Sequence, residues 1–100
     1  MARFEVAWST DAEADLLAIY DHIVADGSPL TALTYSRRIE ARCLAIPDAP
    51  RGGRRREEFG VEVRSIAFQS VTIFYEVRTA DVLILRVLHG ARDHRRLFDQ

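Results

Sequence analysis

Residues 83–93 read LILRVLHGARD, an apolar run that breaks at a His-Gly pair and then delivers Arg92 and Asp93. Imidazole titrates near neutral pH and guanidinium is a permanent, planar cation, so His89 and Arg92 are groups that could move a proton and hold an anion. The end of a buried strand is also where a small domain can hold polar side chains rigidly at a surface. Arg64, inside the alternating segment VEVRSIAF, supplies a further cation. Each residue has a structural alternative. His89 could hydrogen-bond the backbone where the strand leaves the sheet, and Gly90 permits a turn that a Cβ would obstruct. Asp93 is placed to cap a last helix or to pair with Arg92. Arg64 faces either solvent or a target.

A basic loop, Arg51, Arg54, Arg55 and Arg56, could approach phosphates or an acidic partner, or lie solvated beside Glu57 and Glu58. Arg95 and Arg96 beside His94 repeat that choice near the C-terminus. All fourteen basic residues are arginine. Coding bias in a GC-rich genome accounts for this as readily as selection for bidentate contacts, so only arginine position carries information. Net charge is −1, but residues 1–50 sum to −4 and residues 51–100 to +3.

The elements that must position these groups follow from periodicity. Phe4, Val6 and Trp8 alternate with polar or small residues and predict a short strand. Ser9 and Thr10 are N-cap types, and Thr10 with Glu13 has the capping-box spacing. A helix is expected over residues 11–26, its apolar stripe Leu16, Leu17, Tyr20, Ile23 and Val24, stopped by Gly27. Ser28 caps a second helix with Pro29 at its first position, running to about Ile46 along Ala32, Tyr35, Ile39 and Cys43. The link is so short that the helices must form an antiparallel hairpin.

Residues 47–60 show no periodicity and are expected to be a loop. Val61 to Phe68, Val71 to Val77 and Val82 to Leu88 then read as a three-strand meander. In the last strand, alternation puts Ile84, Arg86 and Leu88 on one side and Leu83, Leu85, Val87 and His89 on the other. A short helix is expected from Asp93 to Phe98. The order β-α-α-β-β-β predicts an α+β sandwich, an antiparallel helical hairpin packed on a mostly antiparallel sheet, whose other face is left partly open for a partner.

One domain over residues 1–100 is expected from length alone. No apolar run reaches the ~20 residues of a membrane span, and residues 1–10 lack the pattern of a signal peptide, which points to the cytoplasm. A lone Cys43 and three histidines give no zinc pattern, so neither a metal nor another cofactor is expected, and Cys43 reads as a small core residue.

Four segments, AEADLLAIYDHI (residues 12–23), VEVRSIAF (61–68), TIFYEV (72–77) and ILRVLHGARD (84–93), resemble in order and spacing the ParE/RelE superfamily, and its ParE branch in particular. These are the toxin halves of bacterial type II toxin-antitoxin systems. The resemblance implies a hetero-oligomer with a ParD-like antitoxin and inhibition of DNA gyrase without a chemical reaction. It implies target contacts from Arg64, Arg92, Arg95 and Arg96. Antitoxin contacts are expected from Leu17, Tyr20, Arg55, Arg64, Ile84 and Arg86. The superfamily's other activity is ribosome-dependent mRNA cleavage. That reaction needs a base, a cation at the scissile phosphate and an acid for the leaving oxygen. Arg64, His89 and Arg92 would be its members here, while Phe98, where a tyrosine would serve as acid, cannot move a proton.

Overall fold

The computed structural model describes residues 5–90 of the 100-residue chain. The first strand, β1 (Glu5–Trp8), leads into α1 (Thr10–Ala25) and α2 (Pro29–Leu44). A two-residue strand β2 (Arg54–Arg55) follows, and then the meander β3 (Val63–Phe68), β4 (Val71–Val77) and β5 (Asp81–His89). The strands form one sheet in the order β1-β5-β4-β3-β2, with β1 parallel to β5 and every other neighbour antiparallel. The α+β class, the helical hairpin and the meander agree with the sequence reading. Phe4 and the helix expected over residues 93–98 lie outside the described residues.

Ser9, not Thr10, caps α1, and the reason lies in the sheet. Its N–H donates to the Ile84 carbonyl at 2.9 Å, its hydroxyl donates to the Leu85 carbonyl at 2.8 Å, and the same oxygen accepts from Ala12 N–H at 2.9 Å. Held to the strand edge, Ser9 keeps an extended backbone (φ −70°, ψ 160°), so the helix starts at Thr10. This fixes the rotation of α1. Ala12, Leu16, Ile19 and Ile23 pack on the sheet, spaced four, three and four apart, in place of the expected stripe through Leu17, Tyr20 and Val24. Leu17 is 62% exposed.

In α2 the expected stripe holds. Ser28 accepts from Thr31 N–H at 3.1 Å, and Ala32, Ile39 and Cys43 are buried with Tyr35 packed beside them. The helix ends at Leu44, and a 3₁₀ turn (Ile46–Asp48) keeps Ile46 in the core beyond it. No helix is long and apolar enough to cross a membrane among the described residues.

Two expectations about the sheet are corrected. The 47–60 segment is not structureless, because Arg54 and Arg55 pair with Ser65 and Arg64. The faces of β5 do not alternate throughout. Phe74 opposes Arg86 but Tyr75 opposes Ile84, so Leu85 is an extra residue and the strand bulges there. Val82, Ile84 and then Val87 therefore join the same core, which strict alternation would forbid. The second sheet face, expected to be partly open, is covered at one end and leaves Ala67 exposed at the other. Phe74 and Val63 are buried on it, with Phe59 meeting Phe74 edge-on at 5.6 Å and the Arg56 guanidinium lying over both rings at 5.2 and 5.0 Å.

Core burial pushes the Cys43 thiol from 9.0 up to about 12. Between those values the unfolded chain has lost the thiol proton and the native state keeps it, so stability is full below pH 9 and falls as pH rises toward 12. Tyr75, also raised by burial, adds a slope of the same sign from pH 10 upward. Denaturant titrations of the wild type should begin to lose stability near pH 9, with the slope steepening to about 1.4 kcal/mol per pH unit roughly one unit higher. Cys43→Ala, less stable overall because it leaves a cavity, should show no such decline before the tyrosine range.

Candidate functional site

Where β1 stops pairing with β5 at Ile84, the strand edge passes under α1. Asp15, on the sheet-facing side of that helix, takes three donors there. Arg86 Nε and Nη2 reach its two oxygens at 2.7 and 2.9 Å, and Val87 N–H reaches Oδ2 at 2.9 Å. The carboxylate thus supplies the acceptor that β1 no longer offers, while the Arg86 hydrogen bond raises the guanidinium's already high pKa. A groove of about 380 Å³ lies alongside, floored by Ile19, Ile23 and Val87, with His22 and His89 at its mouth. Their ring centroids are 6.5 Å apart at a 50° tilt, and His22 Nε2 is 3.8 Å from Asp26 Oδ2. Asp15 is held in place by these three donors. Two exposed imidazoles are the groups left with proton-transfer chemistry among those lining the groove.

Arg64 is occupied elsewhere. One of its nitrogens, Nη1, donates to the carbonyls of Arg51 and Gly53 at 3.1 and 2.9 Å. Beside it the Tyr75 hydroxyl donates to the Pro50 carbonyl at 2.8 Å and accepts from Gly53 N–H at 3.0 Å. Together they fasten residues 50–53 to the sheet. A Cβ on Gly53 would strike the Tyr75 hydroxyl and come within 3.0 Å of the Ser65 carbonyl, so this approach requires glycine. Arg64 opposes Tyr75 on β4, whereas His89 opposes Val71 at the strand's other end. That separates their backbones by roughly 13 Å along the sheet and two strand spacings across it. They do not converge on one scissile bond.

The other sequence-predicted positions divide by exposure. Arg55 is exposed and pairs with Glu57, Arg51 stands 3.6 Å from Glu62, and Arg54 is exposed. Arg56 is not part of that solvated set, since it also donates to Ser65 Oγ at 3.2 Å and to Glu58 at 3.1 Å. Leu17 is exposed on α1 and Tyr20 half-buried. Ile84 lies in the core with no exposure, which removes its side chain from the candidate contact surface. Among the described residues His89 makes no backbone hydrogen bond through its ring and instead faces His22, while Gly90 has the positive φ, +79°, expected of its turn. Arg92, Arg95 and Arg96 lie outside the described residues. Sequence reasoning missed Asp15 and Tyr75, and placed Arg56 with the loop arginines instead of on the sheet face. A single carboxylate, Asp15, one turn before the buried Ile19 on the apolar stripe was the available sign of a buried counter-cation.

A strand, a helical hairpin and an antiparallel meander whose last strand runs parallel to the first make up the ParE/RelE toxin fold. Residues 6–94 match the family model of the ParE toxin of the type II toxin-antitoxin system parDE, and the chain belongs to that family. It is similar to a chain of the chromosomal ParDE system of Pseudomonas aeruginosa, with 25% identity and TM-score 0.77 over 89% of this chain and 98% of that one. It is also similar to a chain of the RelBE2 toxin-antitoxin complex of Mycobacterium tuberculosis, with 25% identity and TM-score 0.59 over 92% and 97%. No curated protein sequence matches.

Removing Asp15 strips Val87 N–H and the Arg86 fork of a shared acceptor. Asp15→Ala should cost about 2–4 kcal/mol in urea unfolding, and a double-mutant cycle with Arg86→Ala should return a coupling of about 1–3 kcal/mol. Gly53→Ala should cost about 1–3 kcal/mol through its clash with Tyr75, and Tyr75→Phe in the same chain should recover little, because the ring edge stays in the way.

Proposed function

We propose that this ParE-family toxin acts in the cytoplasm by binding DNA gyrase without catalysing a reaction, and that a ParD-like antitoxin holds it inactive. The observation that carries the reading is the placement of Arg64. It is fastened to two loop carbonyls and stands far from His89, so these two members of the expected nuclease set are not brought together. The ParE match over residues 6–94 and the ParDE likeness support the same reading.

In this account Arg64 shapes the loop over residues 50–53, and the exposed arginines beside it, Arg51, Arg54 and Arg55, meet the target or the rim of the antitoxin. Arg92, Arg95 and Arg96 complete the target contacts. Leu17 and Tyr20 give the antitoxin an apolar strip on α1, a surface suited to a segment that folds on binding. The His22–His89 pair is the observation that favours a second reading, ribosome-dependent RNA cleavage with one imidazole as base and the other as acid.

Purified toxin assayed on gyrase supercoiling and DNA cleavage, and in parallel in a translating extract probed for mRNA cuts, separates the two. Gyrase inhibition with intact mRNA is expected, and a His22→Ala/His89→Ala variant should inhibit as strongly as the wild type. Codon-register mRNA cleavage with unaffected gyrase, abolished in that double variant, would replace the first reading with the second.

A further inference from the structure

The hairpin turns one side of α2 inward through Ala32, Ile39 and Cys43, yet the opposite side of the same helix is also apolar. Leu30, Leu33 and Leu44 are 74%, 39% and 59% exposed, and with Arg37 and Ala41 they form a single outward stripe at helical spacing. Helix propensity does not ask for leucine at those sites over glutamate or arginine, which serve nearly as well. Three exposed leucines in line on one helix are a docking surface.

The arrangement of the stripe says what docks there. Counted from Arg37, Leu30 and Leu44 stand seven residues to either side, and Leu33 and Ala41 four to either side. An antiparallel two-fold pairing about Arg37 therefore sets an apolar residue against an apolar residue at each of these positions, large on large at the ends and large on small between. Two α2 helices packed antiparallel about Arg37 put Leu30 against the partner copy's Leu44, and Leu33 against its Ala41. Arg37 then lies near its own copy at the axis, a repulsion that leucine contacts alone would have to overcome. Glu40 resolves it. One turn further on and at the flank of the stripe, it comes within about 4.5 Å, measured along the axis, of the other copy's Arg37. Each copy thus supplies one half of two cross pairs. Neither Arg37 nor Glu40 makes an ion pair within the described residues.

We propose that the outward face of α2 is a self-association surface whose occupant is a second copy of this chain, packed antiparallel with Leu30 on Leu44 and Arg37 crossed with Glu40. A helix of sixteen residues is about 24 Å long. One such helix per copy falls short of the ~800 Å² per partner of standard interfaces, so the dimer is weak and concentration-dependent.

Sedimentation velocity of the whole toxin, free of antitoxin, from micromolar to millimolar concentration tests this. A monomer–dimer equilibrium is expected, and Leu30→Glu/Leu44→Glu should be monomeric throughout with an unchanged far-UV spectrum, since both side chains are exposed. Arg37→Glu and Glu40→Arg should each weaken association about tenfold, and the double swap should restore it. Restoration distinguishes crossed charge pairs from general stickiness. A wild type that stays monomeric, or a dimer indifferent to the leucine substitutions, overturns the proposal. So does a monomeric toxin whose binding to its antitoxin is lost in Leu30→Glu/Leu44→Glu, which would give the stripe to the antitoxin.

Discussion

The fold turns on the point where β1 ends. A parallel strand of four residues cannot accompany a nine-residue β5 along its length, and the uncovered edge would leave N–H and C=O groups beneath a helix with no water to satisfy them. Ser9 and Asp15 close that edge, the first by binding the Ile84 and Leu85 backbone, the second by binding Val87 N–H and the Arg86 fork. The bulge at Leu85 belongs to the same solution. It shifts β5 by one residue, so that Val87 returns to the core while Arg86 reaches the edge where the carboxylate waits. Cap, bulge and ion pair fix both the height and the rotation of α1, and α2 is then placed against it by the tight turn at Gly27.

Arginine elsewhere in the chain does the work of a spacer between backbone and ring. Arg64 supports a loop through carbonyls, and Arg56 fills the second sheet face by lying over Phe59 and Phe74 while its nitrogens reach Ser65 and Glu58. A lysine could not stack flat on two rings and still direct separate donors to two acceptors. The absence of lysine from the chain therefore has structural consequences at these two positions whatever its origin in the genome.

Most of the architecture was legible because it is local. The cap at Ser28, the buried stripe of α2, the turn at Gln69 and Ser70 and the glycine at position 90 follow from residue type and spacing. What escaped was set by contacts distant in sequence. Asp15 and Arg86 are 71 residues apart, and nothing near either one announces the other. The rotation of α1 escaped for the same reason. Leu16 and Leu17 are adjacent and equally apolar, and the choice between them is made by Ser9 binding β5. The bulge at Leu85 lies in an unbroken apolar run, where alternation has no polar residue to reveal a change of phase. The site followed the same rule. Arg64 was recognised as important from its strand position, but its role depends on a glycine and a tyrosine that meet it through the fold.

These commitments bear on the kind of molecule that a chain of this size can be. An enzyme needs a base, an acid and a cation held within hydrogen-bond reach of one atom, and each must be free to change partner during the reaction. Here Asp15, Arg56, Arg64 and Tyr75 are all used to close edges and fasten loops, because a small core offers little stability to spare for unsatisfied polar groups. A binding protein has no such requirement. It needs a rigid frame that presents exposed side chains, and the frame is what these residues supply: a loop of arginines held out from the sheet on one side, a helical hairpin with leucines on its outer surface on the other. The charge–backbone contacts that close these edges and fasten these loops also make the presented surfaces rigid, which lowers the entropic cost of docking them.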